Sequence, residues 1–284
     1  MTERVETSPN AAQIEHWNTA AGRTWAQFQE QLDRQIESLG QEALRALAPR
    51  PGERILDIGC GCGQTTWDLA LRVGHAGSVV GVDISAPMLE VARQRVRPGH
   101  ASRAEFLQFD AQNGALGSAV FDAAFSRFGV MFFSDPVAAF RNILASLKSG
   151  GRLAFVCWRS LEENPWMRIP LEAARPFLPS AATPDPSAPG PFAFAEASRV
   201  RSILREAGFA SVTTTPFDSL VGGTDVEHTL QLALRLGPLG AALREHPELE
   251  PVVVGPVREA LRNYLTAAGV RMPSATWIIS ARKD

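Results

Sequence analysis

The chain has 284 residues, of which 45% are hydrophobic and 20% are charged, and its formal net charge is −2. This length and composition predict a soluble globular protein of one large domain or a domain with an appendage, and the near-neutral charge argues against a nucleic-acid or acidic-membrane surface. The low cysteine count, the lack of an apolar signal segment within residues 1–10 and the absence of a run long enough to span a membrane lead us to expect a cytoplasmic protein without disulfides.

The N-terminal segment has a helical pattern. Between Trp17 and Leu39, apolar residues recur mostly at spacings of three or four, with polar residues between them, which predicts a helix over residues 11–48. The stretch from Pro49 to Gly52 ends it. We therefore expect residues 1–48 to form a helical cover and residues 49–284 to form the main domain.

Strands and helices alternate in the next hundred residues. The predicted strands are Arg54–Ile58, Ser78–Asp83, Glu105–Asp110, Phe121–Ser126 and Leu153–Trp158. The predicted helices between them are Gln64–Val73, a helix capped by Ser85 with Val96 on its inner face, and a helix that begins at Ser134 or Asp135 and ends at Gly150-Gly151. The strands are apolar throughout, which predicts a parallel sheet buried on both faces.

After Trp158 this regular alternation stops. The predicted elements are a proline-containing helix over Leu161–Leu178, a loop over Pro176–Pro191, a helix over Glu196–Ala207, a strand over Ser211–Leu220, helices within residues 225–268 and a last strand over Ala275–Ala281. A long loop and irregular helices are typical of segments that cover a binding site.

A glycine-rich turn follows the first strand, with Gly59, Gly61 and Gly63 at alternate positions. Glycines there let the backbone turn tightly and approach a ligand closely. A dinucleotide fold uses the spacing G-x-G-x-x-G, but Gln64 stands where its third glycine is required. Asp57, inside the strand, is unfavourable beside a pyrophosphate. The pattern favours a cofactor with an ammonium group and no phosphates.

This turn resembles motif I of the class I S-adenosylmethionine-dependent methyltransferases, E/D-x-G-x-G-x-G, and the resemblance covers roughly residues 50–160. It implies a Rossmann-like α/β fold with a seven-stranded, mostly parallel sheet, helical lid segments and Ala275–Ala281 as a reversed strand. It also implies that Asp83 holds the ribose hydroxyls, that Asp110 accepts the adenine amino proton and that the Ala111 N–H faces the ring. The implied cofactor-binding residues are Asp57, Gly59, Gly61, Gly63, Asp83, Ile84, Met88, Asp110, Ala111, Ser126 and Phe128.

Within that superfamily, the chain is most similar to the branch of the ubiquinone and menaquinone C-methyltransferases. The similarity rests on the helix with Trp17, on the turn at residues 60–63 and on Phe128-Gly129-Val130. Where the quinone enzymes have Gly-Leu-Arg-Asn, this chain has Gly129-Val130-Met131-Phe132. A quinone acceptor is therefore not implied.

The resemblance implies in-line methyl transfer to a small acceptor, which the apolar cover predicts to be apolar or aromatic. The cover comprises residues 11–48 and two insertions at about 160–195 and 224–272. The predicted substrate-pocket residues are Trp17, Trp25, Met131, Phe132, Trp158 and Trp166. No catalytic residue is assigned. His16 and His228 are candidates for a general base, and Arg127 is either a carboxylate partner or a surface arginine.

Two alternatives stay open: a nicotinamide-dependent oxidoreductase, and a regulatory protein that binds the cofactor without transferring methyl groups. No metal is expected, because Cys60 and Cys62 lack a second Cys or His pair at zinc spacing. The expected partner is a small molecule and not a nucleic acid. The oligomeric state is left open, with a homodimer as one option.

Overall fold

The computed structural model describes residues 10–95, 104–180 and 185–284. Its helices are α1 (Ala11–Asn18), α2 (Ala20–Gln27), α3 (Gln29–Leu47), α4 (Gln64–Val73), α5 (Ala86–Gln94), α6 (Pro136–Ser146), α7 (Pro165–Ala174), α8 (Ala197–Glu206), α9 (Val226–Arg235), α10 (Gly237–Glu245) and α11 (Glu250–Arg262). Single 3₁₀ turns are at Val130–Phe132, Arg175–Phe177 and Pro247–Leu249. The strands are β1 (Arg54–Ile58), β2 (Ser78–Asp83), β3 (Ala104–Gln108), β4 (Phe121–Arg127), β5 (Leu147–Trp158), β6 (Ala210–Val221), β7 (Leu265–Thr266), β8 (Gly269–Val270) and β9 (Met272–Arg282).

Seven strands form the main sheet in the order β3-β2-β1-β4-β5-β9-β6. The pairs within β3-β2-β1-β4-β5 are parallel, whereas β9 runs antiparallel to both β5 and β6. The predicted class I methyltransferase fold, including the reversed last strand, is confirmed. The order reverses between β1 and β4, and ligands of such sheets bind beyond the carboxyl ends of the strands at this reversal.

Buried apolar strands and amphipathic helices account for the core. β1 and β2 are buried along almost their whole length, as expected for strands covered on both faces. The bounds of β1, α4 and β2 are those that the sequence predicts. Asp135 caps α6 by accepting a hydrogen bond from the backbone N–H of Ala138 at 2.9 Å.

The predicted single helix over residues 11–48 is wrong: the chain breaks at Thr19 and at Phe28 into three helices. At the first break, the carbonyl of Trp17 accepts a hydrogen bond from Ser85 Oγ at 2.7 Å. Ser85 therefore stands at the N-terminus of α5 without its side chain capping that helix. A tertiary contact has displaced the predicted local one.

Several predicted boundaries also differ. Helix α6 ends at Ser146, and β5 begins directly at Leu147, so Gly150-Gly151 lies within the strand and does not end the helix. Asp110 lies two residues after β3 ends, in a turn. Leu265, predicted on a helix, belongs to the short hairpin of β7 and β8. Val96 and residues 181–184 of the predicted loop lie outside the described residues, as do residues 1–9 of the predicted cover.

Within the described ranges, no helix combines the length and the apolar character that crossing a bilayer requires.

Candidate functional site

A cleft lies beyond the carboxyl ends of β1, β2 and β4, where the strand order reverses, and α1–α3 cover it. It holds about 1030 Å³ of space, part of which is open to solvent. The sheet and the N-terminal helices together define this cleft.

The glycine turn forms the floor of the cleft, and glycine is needed at its three positions for different structural reasons. Gly59 has φ of +64°, and a Cβ there would lie 2.8 Å from Cα of Gly129, so two backbones touch at this point. Gly61 has φ of +52°, and the nearest atom to an added Cβ is Met88 Sδ at 3.7 Å. Gly63 is buried against the ring of Phe106 and does not line the cleft. Gly61 is thus the glycine that leaves room for a ligand.

Asp83 ends β2 and faces the cleft. Its carboxylate accepts hydrogen bonds from the backbone N–H of Gly61 and of Ser85, both at 2.8 Å. Burial raises the pKa of Asp83 to about 6, and these hydrogen bonds oppose the rise. The turn therefore fixes the orientation of this carboxylate.

Asp57 is fully buried in β1 and does not line the cleft. Its Oδ2 accepts hydrogen bonds from Thr65 Oγ1 at 2.7 Å and from Thr66 Oγ1 at 2.6 Å, whereas Oδ1 has no donor. Burial raises the pKa of Asp57 to about 6. The carboxylate thus orients the start of α4 from behind the glycine turn.

Asp110 also lines the cleft, beside Ala111. Its Oδ1 accepts hydrogen bonds from the backbone N–H of Gln112 at 2.9 Å and from Asn10 Nδ2 at 3.2 Å. Its Oδ2 accepts one from Asn113 Nδ2 at 2.8 Å. The N-terminal segment therefore closes directly onto this carboxylate.

Aromatic side chains form another wall of the cleft. Trp17 packs edge-on against Trp25, with ring centroids 6.0 Å apart, and against Phe132 at 5.0 Å. Phe128 adopts φ of +60°, which is uncommon for a residue with a side chain, and stacks on Trp158 at 4.1 Å. This wall is apolar and suits a flat or aliphatic ligand.

The structure brings most of the predicted site residues together. Those that line the cleft are Gly59, Gly61, Asp83, Ile84, Met88, Asp110, Ala111, Phe128, Trp17, Trp25 and Phe132. Those that do not line it are Asp57, Gly63, Ser126, Met131, Trp158 and Trp166. Ser126 is buried behind the turn and donates from Oγ to the carbonyl of Ile58 at 2.7 Å. Met131 is 1% exposed and belongs to the core.

Sequence reasoning missed Asp33 and underrated Arg127, which both line the cleft. Asp33 accepts a hydrogen bond from Arg127 Nη2 at 2.8 Å and one from Arg95 Nη1 at 2.9 Å. Asp33 lies beside Leu32 and Ile36 on the buried face of α3, and a charged residue on an apolar helix face is the signal that points to it.

The cleft offers little acid–base chemistry of its own. Within the described residues, its lining contains no His, Lys or Tyr, so neither His16 nor His228 reaches it. Burial raises the pKa of the Cys62 thiol to about 12 and that of Cys60 well above its usual value, so both thiols are neutral near pH 7. The structure therefore provides binding and orientation rather than an evident general base.

Comparison with known proteins agrees with this geometry. Residues 55–151 match a family described as a methyltransferase domain. Aklanonic acid methyltransferase DauC of Streptomyces sp. (strain C5) is 32% identical over 146 residues, covering 51% of this chain and 62% of that protein. Demethylmenaquinone methyltransferase of Clavibacter sepedonicus is 34% identical over 177 residues, covering 59% of this chain and 70% of that protein.

A solved structure shows the same fold at lower identity. Phosphoethanolamine N-methyltransferase 2 of Haemonchus contortus, in complex with phosphomonomethylethanolamine and S-adenosylhomocysteine, superposes with a TM-score of 0.58 and 17% identity, covering 97% of this chain and 60% of that chain. The similarity supports the architecture. The chain spans less than two thirds of the length of the Streptomyces protein, at 62%.

Proposed function

Because this chain belongs to the class I S-adenosylmethionine-dependent methyltransferases, we propose that it transfers a methyl group to a small organic acceptor with an apolar or aromatic body. The observation that carries the proposal is a cleft whose lining combines the carboxylates of Asp83 and Asp110 with an aromatic wall. The names of the two relatives, which refer to aklanonic acid and demethylmenaquinone, are consistent with a small-molecule acceptor.

The cleft fits the cofactor of this family, S-adenosylmethionine. Space remains above Gly61, where an added Cβ would find its nearest neighbour 3.7 Å away. We propose that Asp83 accepts hydrogen bonds from the ribose hydroxyls, because both of its oxygens retain lone pairs after accepting one backbone N–H each. Likewise, we propose that Oδ2 of Asp110, which accepts one hydrogen bond from the described residues, accepts an adenine amino hydrogen.

Asp57 has a different proposed role from the direct contact that the resemblance implies. Because it is buried behind the turn, it holds Thr65 and Thr66 at the start of α4. Its negative charge still lies beneath the cleft and favours a cationic ligand over a pyrophosphate. This arrangement, with the family membership, does not favour the nicotinamide alternative.

The chemistry needs little from the protein beyond alignment. When bound, the cofactor supplies a methyl group already activated by the positive charge of its sulfonium. The aromatic wall excludes water and orients the acceptor, and such positioning contributes on the order of 7–11 kcal/mol when the geometry is good. Since no His, Lys or Tyr lines the described cleft, we expect acceptors that ionise readily, such as phenols, carboxylic acids or acidic C–H groups.

A methyl-transfer screen tests the proposal. The purified chain would be incubated with isotopically methyl-labelled S-adenosylmethionine and with phenols, fatty acids, amines and thiols. We expect labelled product and S-adenosylhomocysteine with at least one ionisable apolar acceptor, and faster transfer as the pKa of a substituted phenol falls towards the pH of the assay. Tight cofactor binding without turnover in any class would instead support the regulatory alternative.

A further inference from the structure

The charged side chains in the lining of the cleft are unevenly divided between acids and bases. Among the described lining residues, Asp33, Asp83 and Asp110 are carboxylates, whereas Arg127 is the only cation. The proposed function uses Asp83 for the ribose and Asp110 for the adenine. It leaves Asp33 and Arg127 without a ligand group, although Arg127 Nη2 lies 2.8 Å from Asp33 Oδ1.

This Asp33–Arg127 pair lies against the glycine turn. Arg95 Nη1 donates to Asp33 Oδ2 at 2.9 Å and to the carbonyl of Cys62 at 3.0 Å, so Asp33 and the turn share one donor. Arg127 donates from Nη1 to Gln64 Oε1, where α4 begins directly after the turn. Both members of the pair are therefore held beside the turn that the proposed function places under the cofactor.

The pair is fixed in place but retains capacity for a ligand. The side chain of Arg127 crosses α3 at Gly40, where an added Cβ would lie 2.8 Å from Arg127 Cδ. An arginine has more N–H donors than the two that Arg127 uses here, one on Nη1 and one on Nη2. Asp33 accepts one described hydrogen bond on each oxygen and keeps lone pairs on both. The two side chains can therefore bind a ligand while they stay paired.

The carboxylate that motif I supplies cannot contact a ligand in this cleft. Asp57 is fully buried and does not line the cleft, so an ammonium group of the cofactor needs another acceptor. The amino-acid end of S-adenosylmethionine carries an ammonium and a carboxylate on one carbon atom. An aspartate beside an arginine presents the opposite charges close together, and such charge-assisted hydrogen bonds are among the stronger ones in proteins.

We propose that the Asp33–Arg127 pair binds the amino-acid end of S-adenosylmethionine, with Arg127 donating to its carboxylate and Asp33 accepting from its ammonium group. The inference rests on the proposed function, because the ligand is the cofactor of that reaction. It assigns a direct part in cofactor binding to α3, which belongs to the N-terminal cover. The cover then completes the cofactor site in addition to shielding it.

Analogues that lack one charged group test the pair, and the decarboxylated analogue of S-adenosylhomocysteine tests Arg127. Calorimetry should show that wild type binds S-adenosylhomocysteine about tenfold to a hundredfold more tightly than this analogue. In Arg127→Gln the ratio should fall below about threefold, because the guanidinium that distinguishes the two ligands is gone. Methylthioadenosine lacks the whole amino-acid end and should bind wild type and the variant about equally.

Arg95→Gln is the matched control, because Arg95 pairs with the same carboxylate of Asp33 but does not line the cleft. It should keep the wild-type ratio. Arg127→Lys retains the positive charge and should keep part of the preference, and thermal unfolding shows whether each variant is folded. An equal loss of the ratio in Arg95→Gln and Arg127→Gln would mean that the ion pairs act only through the fold, which overturns the direct contact.

The deaminated analogue of S-adenosylhomocysteine, which keeps the carboxylate, tests Asp33. Wild type should bind S-adenosylhomocysteine about threefold to tenfold more tightly than this analogue. Asp33→Asn should reduce that ratio, because an amide has no charge and only one acceptor oxygen. Glu42→Gln changes a carboxyl group on the same helix that pairs with Arg45 and does not line the cleft, and it should keep the wild-type ratio.

The outcomes separate this inference from the proposed function. If wild type does not bind S-adenosylhomocysteine, the proposed function is overturned. If wild type binds it but binds the decarboxylated analogue equally well, only the role of the Asp33–Arg127 pair is overturned. The same holds if Arg127→Gln keeps the wild-type ratio and instead loses affinity for an aromatic carboxylic acid, because Arg127 then recognises the methyl acceptor.

Discussion

Asp33 and Arg127 form a nearly buried ion pair, with Arg127 Nη2 2.8 Å from Asp33 Oδ1 and side chains that are 13% and 10% exposed for Arg127 and Asp33. Asp33 belongs to α3, whereas Arg127 ends β4. Arg127 also donates to Gln64 Oε1 at the start of α4. The pair therefore joins the N-terminal cover to the part of the sheet that carries the glycine turn.

We predict that Asp33→Ala lowers the free energy of unfolding by about 3 kcal/mol, because it leaves Arg127 and Arg95 without their shared carboxylate in a partly buried place. Glu42→Ala, on the same helix, removes a more exposed partner of Arg45 and should cost less than about 1 kcal/mol. Urea unfolding of both variants measures the difference. Equal, small effects would mean that the buried pair does not fasten the cover.

Asp83→Asn should weaken S-adenosylmethionine binding by about tenfold to a hundredfold, because the ribose loses charge-assisted hydrogen bonds worth roughly 1.5–3 kcal/mol. Asn is preferred to Ala because its Oδ1 can still accept one of the two backbone N–H groups. Asp122→Asn serves as the control, because Asp122 lies near the start of β4, whereas the cleft lies beyond the carboxyl end of that strand. Calorimetry with the cofactor gives both affinities, and an unchanged value for Asp83→Asn would remove Asp83 from this role.

Cofactor binding should also depend on pH. Burial raises the pKa of Asp83 to about 6, so the free protein protonates this carboxyl as the pH falls through that value. A protonated carboxyl accepts hydrogen bonds weakly, and the affinity for S-adenosylmethionine should therefore decrease between pH 7 and pH 5. Fluorescence or calorimetric titrations at several pH values test this. Asp83→Asn should show a flatter profile, and a wild-type profile without any decrease contradicts the prediction.

Asp57→Asn should stabilise the cofactor-free protein above pH 6. Burial raises the pKa of Asp57 from its ordinary value of 3.8 to about 6 in the folded state, so folding favours the neutral carboxyl. The resulting destabilisation is absent below pH 3.8, grows as the pH rises to about 6 and is complete above it. A pKa difference of about two units corresponds to a loss of at most about 3 kcal/mol in the free energy of unfolding. Urea unfolding at pH 8 should show a gain of about 1–3 kcal/mol, which disappears near pH 4.

The geometry at Asp57 leads to two further expectations for the Asp57→Asn variant. Thr65 and Thr66 can still donate to Asn Oδ1, so the start of α4 should keep its conformation. The same substitution removes a negative charge beneath the cleft and should weaken binding of the cationic cofactor relative to S-adenosylhomocysteine. A loss of stability at pH 8 would show that Asp57 is held as an anion by something other than its two threonines.

The glycine turn allows a matched comparison of Gly59→Ala with Gly61→Ala. An added Cβ at Gly59 would lie 2.8 Å from the backbone of Gly129, which has no room to move, so this variant should unfold at a clearly lower temperature. At Gly61 the added Cβ meets only Met88 Sδ at 3.7 Å, and the positive φ costs roughly 1–2 kcal/mol. Gly61→Ala should therefore remain folded and lose cofactor affinity. Thermal unfolding and calorimetry together distinguish a role in folding from a role in cofactor binding. If Gly59→Ala stayed stable and Gly61→Ala lost stability, the two roles would be exchanged.

Local sequence determined the elements that depend on local rules. β1, α4 and β2 have their predicted ends because continuous apolar strands and a glycine turn are signals that need no distant partner. Asp135 precedes α6 for the same reason, since its side chain caps the helix by accepting a hydrogen bond from the backbone N–H of Ala138, three residues later. The order of acidic residues after successive strands likewise placed Asp83 and Asp110 at one edge, because parallel strands end on the same side of a sheet.

Where contacts come from distant parts of the chain, the local pattern was insufficient. Nothing near Ser85 indicates that its hydroxyl bonds the carbonyl of Trp17 and leaves α5 without a side-chain cap. The break of the N-terminal segment at Thr19 and the positive φ of Phe128 are further examples. Each is set by packing against an element that is remote in sequence.

By itself, the sequence predicted alternating strands and helices and a glycine turn suited to a phosphate-free cofactor, because apolar runs and glycine spacing act through short-range steric rules. The cofactor-binding residues were implied by the family resemblance and stay a prediction. Only the tertiary structure decided that Asp57 is buried behind the turn and that Asp33 and Arg127 join the cover to the sheet. These relationships depend on how helices pack across the sheet edge, and a local pattern can mark a residue such as Asp33 as unusual without identifying its distant partner.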